Sequence, residues 1–467
     1  MTPDKIKFGT DGWRAIIALD FTVYNVARVA KAQADWLHQN FKDPKVLVGH
    51  DCRFGGELFT EVVTKVLCAN GIKVALAKGF ISTPMISLGV LKISAQQGVV
   101  ITASHNPPSY NGYKLKGAHG GPSSPKDIAA VEALIPEDVT IPSESLDQWQ
   151  SKGILEYVNL EDMYTEYLQT KFDFEALKRS PFKLAYDAMF GAGQNVVRRL
   201  LPGAVLLHCD NNPGFLGQAP EPLDKNLQEL AHTVATTPEV KIGLATDGDA
   251  DRIGLYDEEG NFVDAHHILL LLIHYLHKYK NMSGKVVIAF SVTDRVKKMC
   301  EAYGLPVEVT PVGFKYISEI MIHEDVLVGG EESGGIAVKG HIPERDGIYD
   351  GLLVYEFMST TGKTMKQLIQ EVYDVVGTFF YDRKDLHVEN DKKNAIIQKA
   401  TANQYPTFGK YKFNRRETID GIKYHLDNGG WIMLRASGTE PLLRVYAEGN
   451  SKDETADILN DVLKTIL

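Results

Sequence analysis

Apolar and polar positions alternate between two periods along most of this chain. Lys45 to Val48 is a short β-rich run, Glu57 to Asn70 places apolar residues at helical spacing, and Lys73 to Ala77 is β-rich again. Strand, helix, strand is the signature of a parallel or mixed sheet with a crossover helix. The pattern returns at Phe182 to Asp187, Gly193 to Leu201 and Val205 to His208, and once more at Lys285 to Phe290, Thr293 to Tyr303 and Pro306 to Val309. The last stretch differs. Asp391 to Asn403 reads as a helix, Gly421 to Leu426, Gly430 to Leu434 and Leu442 to Ala447 as strands, and Asp453 to Leu467 as a closing helix.

This patterning predicts an α/β protein of four domains: three similar α/β units with mixed sheets and a smaller C-terminal α+β domain. The Pro- and Ser-containing stretch from Pro136 to Ser145, the turn from Asp257 to Gly260 and the stretch from Gly377 to Tyr381 mark the boundaries. The expected domains are 1–140, 141–259, 260–377 and 378–467. A length of 467 residues accommodates that number, at roughly 100–200 residues per domain.

Composition narrows the function. Asp and Glu total 60 against 50 Lys and Arg, a net charge of −10. That balance argues against nucleic-acid partners, which require a basic face. It leaves room for a small anionic substrate, because a few clustered cations make a local positive pocket. Cys52, Cys68, Cys209 and Cys300 form no CxxC pair and suit a reducing cytoplasm. Met1 to Trp13 has no apolar signal core, and the longest apolar run, Ile268 to Ile273, is far short of the ~20 residues a membrane helix needs. A cytoplasmic protein, monomeric or homodimeric and without membrane partners, is expected.

Four constellations carry candidate chemistry. Thr102-Ala103-Ser104-His105-Asn106-Pro107-Pro108 follows the apolar run Gly98 to Ile101. It presents Ser104 just past a strand in a loop broken by prolines, with Thr102, His105 and Asn106 at hand to hold it by hydrogen bonds. It lacks the GxSxG elbow of a hydrolase. Asp247-Gly248-Asp249-Ala250-Asp251-Arg252 alternates three carboxylates with small residues. On an extended loop these converge as hard oxygen ligands for Mg²⁺ or Ca²⁺. An EF-hand fits worse: Arg252 stands where its turn needs Gly, and strand-like runs flank the loop.

Gly329-Gly330-Glu331-Glu332-Ser333-Gly334-Gly335 combines close-approach glycines with a carboxylate and a hydroxyl able to read sugar hydroxyls. Arg435-Ala436-Ser437-Gly438-Thr439-Glu440-Pro441, with Arg444 downstream, offers a bidentate cation and hydroxyl and backbone donors for phosphate. Each alone also reads as an ordinary polar turn. Two other signals fail. Gly362-Lys363-Thr364 lacks the leading glycine and the preceding strand of a P-loop, and His266, His267, His274 and His277 read as structural. Four polar loops, one in each expected domain, can line a single central cleft, a usual place for a small-ligand site.

With these motifs on the page, the chain resembles the α-D-phosphohexomutase family, the group of phosphoglucomutases and phosphomannomutases, over essentially its whole length. Supporting matches are Phe8-Gly9-Thr10-Asp11-Gly12-Trp13-Arg14, Asn111-Gly112-Tyr113-Lys114 and Val312-Gly313-Phe314-Lys315. The resemblance implies that Ser104 carries a phosphoryl group, and that Asp247, Asp249 and Asp251 hold Mg²⁺ with a phosphoserine oxygen as a further ligand. It makes Lys114 a general acid/base, sets Arg14 and Arg252 beside the phosphoserine and keeps His105 with the catalytic group. Glu331 and Ser333 then bind sugar hydroxyls; Arg435, Ser437, Gly438, Thr439 and Arg444 grip the phosphate not being transferred; Gly313 and Arg345 belong with the substrate contacts.

Two departures stand out: Gly334-Gly335 where several relatives carry Gly-His, and Arg345 in Pro343-Glu344-Arg345-Asp346-Gly347 where many carry Lys. The activity implied is phosphoglucomutase, glucose 1-phosphate to glucose 6-phosphate with glucose 1,6-bisphosphate as activator and intermediate, with phosphomannomutase activity as a possible companion. The alternatives are a glucose 1,6-bisphosphate synthase using another phosphoryl donor, a non-catalytic phosphosugar-binding protein, and a serine hydrolase or phosphatase.

Overall fold

The computed structural model describes residues 6–9, 11–436 and 442–467. They form three α/β domains and a smaller C-terminal α+β domain, as the patterning predicts. By compactness the chain divides into two units. One runs up to Val287 and takes in Gly313–Gln370; the other joins Ile288–Val312 to Glu371–Leu467.

The first sheet contains β1 (Trp13–Ile16), β2 (Lys45–His50), β3 (Lys73–Ala77), β4 (Gln97–Ile101), β5 (Tyr110–Gly117) and β6 (Leu155–Val158), in the order β1-β5-β4-β2-β3-β6. The central strands β2, β3 and β4 run parallel. All five residues of β4 are buried, as a strand covered on both faces requires. The helix Gly56–Ala69 buries Phe59, Val62, Val63, Val66 and Leu67 on one stripe, which is what its helical spacing demands. Strand β6 lies beyond position 140 in the chain, yet it pairs with β3 to complete this sheet.

The second sheet contains β7 (Lys183–Asp187), β8 (Val205–Leu207), β9 (Val240–Thr246), β10 (Ile253–Tyr256) and β11 (Phe262–Val263), in the order β11-β10-β9-β7-β8. The strands of the third domain are β12 (Lys285–Ala289), β13 (Val307–Thr310), β14 (Val326–Gly330) and β15 (Ile336–Val338). The C-terminal sheet contains β16 (Phe380–His387), β17 (Phe413–Glu417), β18 (Ile422–Leu426), β19 (Trp431–Ala436) and β20 (Leu442–Gly449), in the order β16-β20-β19-β18-β17. It is antiparallel throughout. The helices Asn390–Thr401 and Lys452–Ile466 close one face, contributing Ile396, Ala400, Ile458, Leu459 and Val462 to the core.

One topological feature places the chemistry. Each motif stands between two adjacent antiparallel strands of one sheet. The serine loop joins β4 to β5, with Ile101 opposite Tyr113. The acidic loop joins β9 to β10, with Thr246 opposite Ile253, and the Gly-Glu-Glu-Ser loop joins β14 to β15, with Gly330 opposite Ile336. The Arg435 loop joins β19 to β20, with Ala436 opposite Leu443. A hairpin turn lifts a short polar segment clear of the sheet while its flanking strands stay buried, so it is held at both ends.

Candidate active site

Ser104 stands on a strained turn. Its φ is +53°, the left-handed region that L-residues with a Cβ enter at a cost. Its amide donates to Thr102 Oγ1 at 2.9 Å, and Thr102 Oγ1 donates to Asp51 Oδ2 at 2.5 Å. Arg53 fastens the rest of the loop. Its guanidinium donates to the carbonyls of Ser104 and Asn106 at 2.6 Å each, to that of Pro107 at 2.9 Å and to that of Tyr110 at 3.1 Å. Asp51 faces Arg53 Nε at 3.4 Å, with both side chains fully buried. Burial pushes Asp51 up to about 6, with Arg53 and Thr102 pulling against it.

The acidic loop meets this turn directly. Ser104 Oγ donates to Asp247 Oδ2 at 2.7 Å, and His105 Nδ1 lies 3.3 Å from Ser104 Oγ. Gly248 makes the approach possible, because a Cβ there would stand 2.5 Å from the Ser104 carbonyl oxygen. Asp247, Asp249 and Asp251 are wholly buried, and one oxygen from each lies within 4.8 Å of the others. Asp247 Oδ1 accepts from the amides of Asp251 and Arg252 at 2.9 and 3.1 Å. Asp249 Oδ2 accepts from Thr83 Oγ1 at 2.5 Å and Lys114 Nζ at 2.7 Å, and Lys114 also reaches Asp251 Oδ2 at 3.1 Å.

Electrostatics separates Asp247 from Asp249. Burial and the two neighbouring aspartates raise Asp247 well above the usual carboxylate range. Burial would raise Asp249 too, but Lys114 and Thr83 carry it below that range. Burial opposes the charge on Lys114, yet Asp11, Asp249 and Asp251 raise its pKa and keep it an ammonium. His105 is held well below the imidazole range by burial and by Arg252, Arg14, Lys114 and Arg53, so it is neutral.

The triad suits a hard divalent cation. Asp249 Oδ1 and Asp251 Oδ1 are buried and have no hydrogen-bond partner among the described residues. Leaving two carboxylate oxygens dry costs more than pairing them, and oxygen-only ligands match Mg²⁺ or Ca²⁺ chemistry.

A ring of ion pairs surrounds this core. Arg14 donates to Asn106 Oδ1 at 2.7 Å and lies 3.7 Å from Asp11. Arg252 faces Glu221 at 3.4 Å. Arg345 Nη2 contacts Asp11 Oδ2 and Asp251 Oδ2 at 2.7 Å each, and Asp11 also meets Lys114 at 2.8 Å.

The remaining candidates fall into two places. Glu331, buried, and Ser333, half-buried, sit on the β14–β15 turn, where Glu331 N donates to the Gly335 carbonyl at 3.0 Å and Ile253 N to that of Gly334 at 3.1 Å. Burial lifts Glu331 to about 7, against the pull of Arg345. Gly313 precedes the helix Phe314–His323. In the other unit, Arg435 and Arg444 are direct cross-strand partners on β19 and β20. Like charges placed opposite one another destabilise a sheet unless an anion shares them. Arg435 Nε reaches Asp420 at 3.2 Å. Ser437, Gly438 and Thr439 lie outside the described residues.

Sequence reasoning missed Asp11, Asp51, Arg53, Thr83 and Glu344. A signal existed for some of them: Asp51-Cys52-Arg53 follows β2 as the serine loop follows β4, and the carboxyl ends of parallel strands are where α/β sheets build sites. The four histidines singled out from the sequence have structural surroundings; His267 Nδ1, for example, lies 2.7 Å from Asp264 at its helix N-cap.

Comparison with known proteins shows the family. Four family models match in sequence: phosphoglucomutase/phosphomannomutase α/β/α domain I at residues 5–140, domain II at 162–260, domain III at 264–376 and the C-terminal domain at 384–465. The chain belongs to the phosphoglucomutase/phosphomannomutase family, the α-D-phosphohexomutases. It is accordingly an intramolecular phosphotransferase. It is 29% identical over 466 residues to the phosphoglucomutase/phosphomannomutase of Thermococcus kodakarensis, covering 98% of each chain. It is also 29% identical over 471 residues to the phosphoglucosamine/phosphogalactosamine mutase of Sulfurisphaera tokodaii, again covering 98% of each. A crystal structure from Thermus thermophilus, described as a "putative phosphomannomutase", superposes with a TM-score of 0.87 at 33% identity, over 99% of both chains. Among the described residues, no helix is long and apolar enough to cross a membrane.

Proposed function

We propose that this hexose-phosphate mutase is a phosphoglucomutase that shuttles a phosphoryl group through Ser104. The supporting observation is the 2.7 Å contact of Ser104 Oγ with Asp247, inside a cluster that leaves Asp249 Oδ1 and Asp251 Oδ1 without partners. In the forward half-reaction the bond from phosphorus to Ser104 Oγ breaks as a bond to the free hydroxyl of glucose phosphate forms. The hydroxyl proton ends on Ser104 Oγ, where Asp247 accepts the restored hydroxyl's hydrogen bond. Glucose 1,6-bisphosphate then turns end for end and returns its other phosphoryl group to Ser104.

Phosphoryl transfer has a loose transition state, so positioning and charge neutralisation dominate. Arg53 fixes the backbone of the serine turn through four carbonyls. Arg14 and Arg252 place positive charge beside it, and Lys114 is kept protonated, able to supply a proton or positive charge. Mg²⁺ held by Asp247, Asp249 and Asp251 would neutralise phosphoryl oxygens. Glu331 and Ser333, whose side chains make no hydrogen bond to a described residue, are free to meet sugar hydroxyls in either orientation. Arg435 and Arg444 would hold the phosphate that stays.

The names of seven relatives that carry phosphoglucosamine mutase in their description favour a second reading in which the sugar is glucosamine phosphate. A panel of glucose, mannose and glucosamine 1-phosphates with Mg²⁺ and the matching bisphosphate, followed by phosphorus NMR, separates the two. Fastest isomerisation of the glucose compound supports the first reading, and a preference for the glucosamine compound replaces it with the second. Net accumulation of bisphosphate from another donor identifies a synthase.

A further inference from the structure

The two positions read from the sequence as departures from the family pattern lie against each other. A Cβ built on Gly335 would stand 2.4 Å from Arg345 Cδ, 3.2 Å from Arg345 Cγ and 3.5 Å from Glu331 Oε2. Carbon atoms cannot approach that closely, so either residue 335 has no side chain or Arg345 moves. Arg345 can move only by giving up its partners. Its Cδ lies mid-chain, and beyond it Nη2 is pinned to Asp11 and Asp251 at 2.7 Å each while Nε faces Glu344 Oε1 at 3.2 Å. Its guanidinium also lies over the Phe314 ring, 5.2 Å from the centroid. The whole residue is 3% exposed. The stem therefore crosses the β14–β15 turn through the space a side chain at 335 would fill.

The consequence falls on Glu331. The charged groups acting on that buried carboxylate are Arg345, Glu332, Arg252 and Asp11, and Arg345 has the largest effect of the four. Its positive charge offsets part of the burial cost of ionising Glu331, and it does so only while its stem occupies the gap at Gly335.

We propose that Gly335 and Arg345 form one positioning unit for sugar recognition: the missing side chain at 335 admits Arg345, whose charge keeps Glu331 an acceptor for the hydroxyls of the hexose phosphate. This rests on the mutase reading above. It makes Arg345 a positioning residue acting through Glu331, and Gly335 its steric licence.

The test uses the full-length protein with Mg²⁺ and four variants: Gly335→Ala, Arg345→Ala, Gly335→Ala with Arg345→Ala, and Arg345→Lys. Gly335→Ala is expected to raise KM for the preferred hexose phosphate at least about tenfold, with kcat changed less than about threefold. It should also move the acidic limb of kcat/KM to higher pH, because Glu331 loses its cation. Arg345→Ala should raise KM and move the limb in the same sense, with a further loss in kcat because Asp11 and Asp251 lose their cation, and the double variant should be no worse than Arg345→Ala within about twofold, since truncating position 345 removes the collision. Arg345→Lys, which keeps the charge, should leave the limb near its wild-type position. Multiplying losses in the double variant, a Gly335→Ala enzyme indistinguishable from wild type, or an unmoved limb in both Gly335→Ala and Arg345→Ala would overturn the proposal. Should the alanine variants fold poorly, Arg345→Lys against wild type still decides: a limb displaced to higher pH despite the retained charge contradicts it. A wild-type protein that turns over no hexose phosphate removes the mutase reading instead, so the two failures are distinct.

Discussion

The turn that carries Ser104 and the turn that carries Glu331 are both hairpin loops of one compact unit, but they are held in different ways. Around Ser104 each position is fixed several times over: four carbonyls by Arg53, the serine amide by Thr102, and the acidic loop by Lys114, Thr83 and two amides. Around Glu331 the backbone is tied at its ends, while Glu331 and Ser333 keep their hydrogen-bonding capacity unspent. The difference suits the proposed chemistry. A transferring phosphoryl group tolerates little misplacement, whereas a sugar presented in two orientations is better met by generic acceptors than by a fixed mould.

The sharpest way to break this contrast is Ser104→Ala. Loss of the nucleophile should cut kcat by at least ~10⁴-fold with thermal stability little changed, measured in a coupled isomerase assay. Glu331→Ala should cost far less, mainly in KM; equal losses in kcat would erase the distinction between fixed chemistry and adaptable recognition. Next in size, Asp249→Asn removes a member of the triad and should weaken divalent-cation binding by ~10²-fold or more. Calorimetric titration with Mg²⁺ checks this, and unchanged affinity would remove Asp249 from the metal site.

The Arg53 clamp predicts a stability effect. Arg53→Ala leaves Asp51 buried without its cation and should cost about 3–5 kcal/mol in denaturant unfolding, with Arg53→Lys falling in between. A loss below about 1 kcal/mol would show that the serine turn holds itself. The smallest effect concerns Glu331. If its carboxylate accepts from the sugar, kcat/KM rises with pH through a midpoint near 7, and Glu331→Gln flattens that limb. The stability contribution has the opposite sense. Because the folded pKa is raised, the fold favours the neutral acid, so this contribution is whole below the ordinary glutamate range and is lost as pH rises through about 7.

Much of the fold was legible because buried strands advertise themselves. Lys73–Ala77 is found as read, and the strand expected from Pro306 begins instead at Val307 because proline lacks the N–H that a ladder needs. The outer strands of the C-terminal sheet were not legible. Phe380–His387 and Phe413–Glu417 lie at its two edges, half-exposed and rich in charge, a composition that protects edges from pairing and erases the β pattern. The site divides in the same way. Its four motifs are contiguous in the chain and could be read, and the two departures at Gly335 and Arg345 were visible as departures. Their contact was not, nor was the pairing of Thr83 with Asp249 across 166 residues of sequence. Such couplings belong to the folded arrangement of hairpins and leave no local pattern.

The central claim is that Ser104 stores the phosphoryl group between its two sugar hosts. Incubating the protein with glucose 1,6-bisphosphate labelled in its phosphates, removing the sugar, and mapping the label by peptide mass spectrometry tests it directly. The account predicts one phosphoryl group on Ser104, discharged to the sugar bisphosphate when unlabelled glucose phosphate is added with Mg²⁺. A label on another residue, or a turning-over enzyme with no covalent label at all, would contradict it.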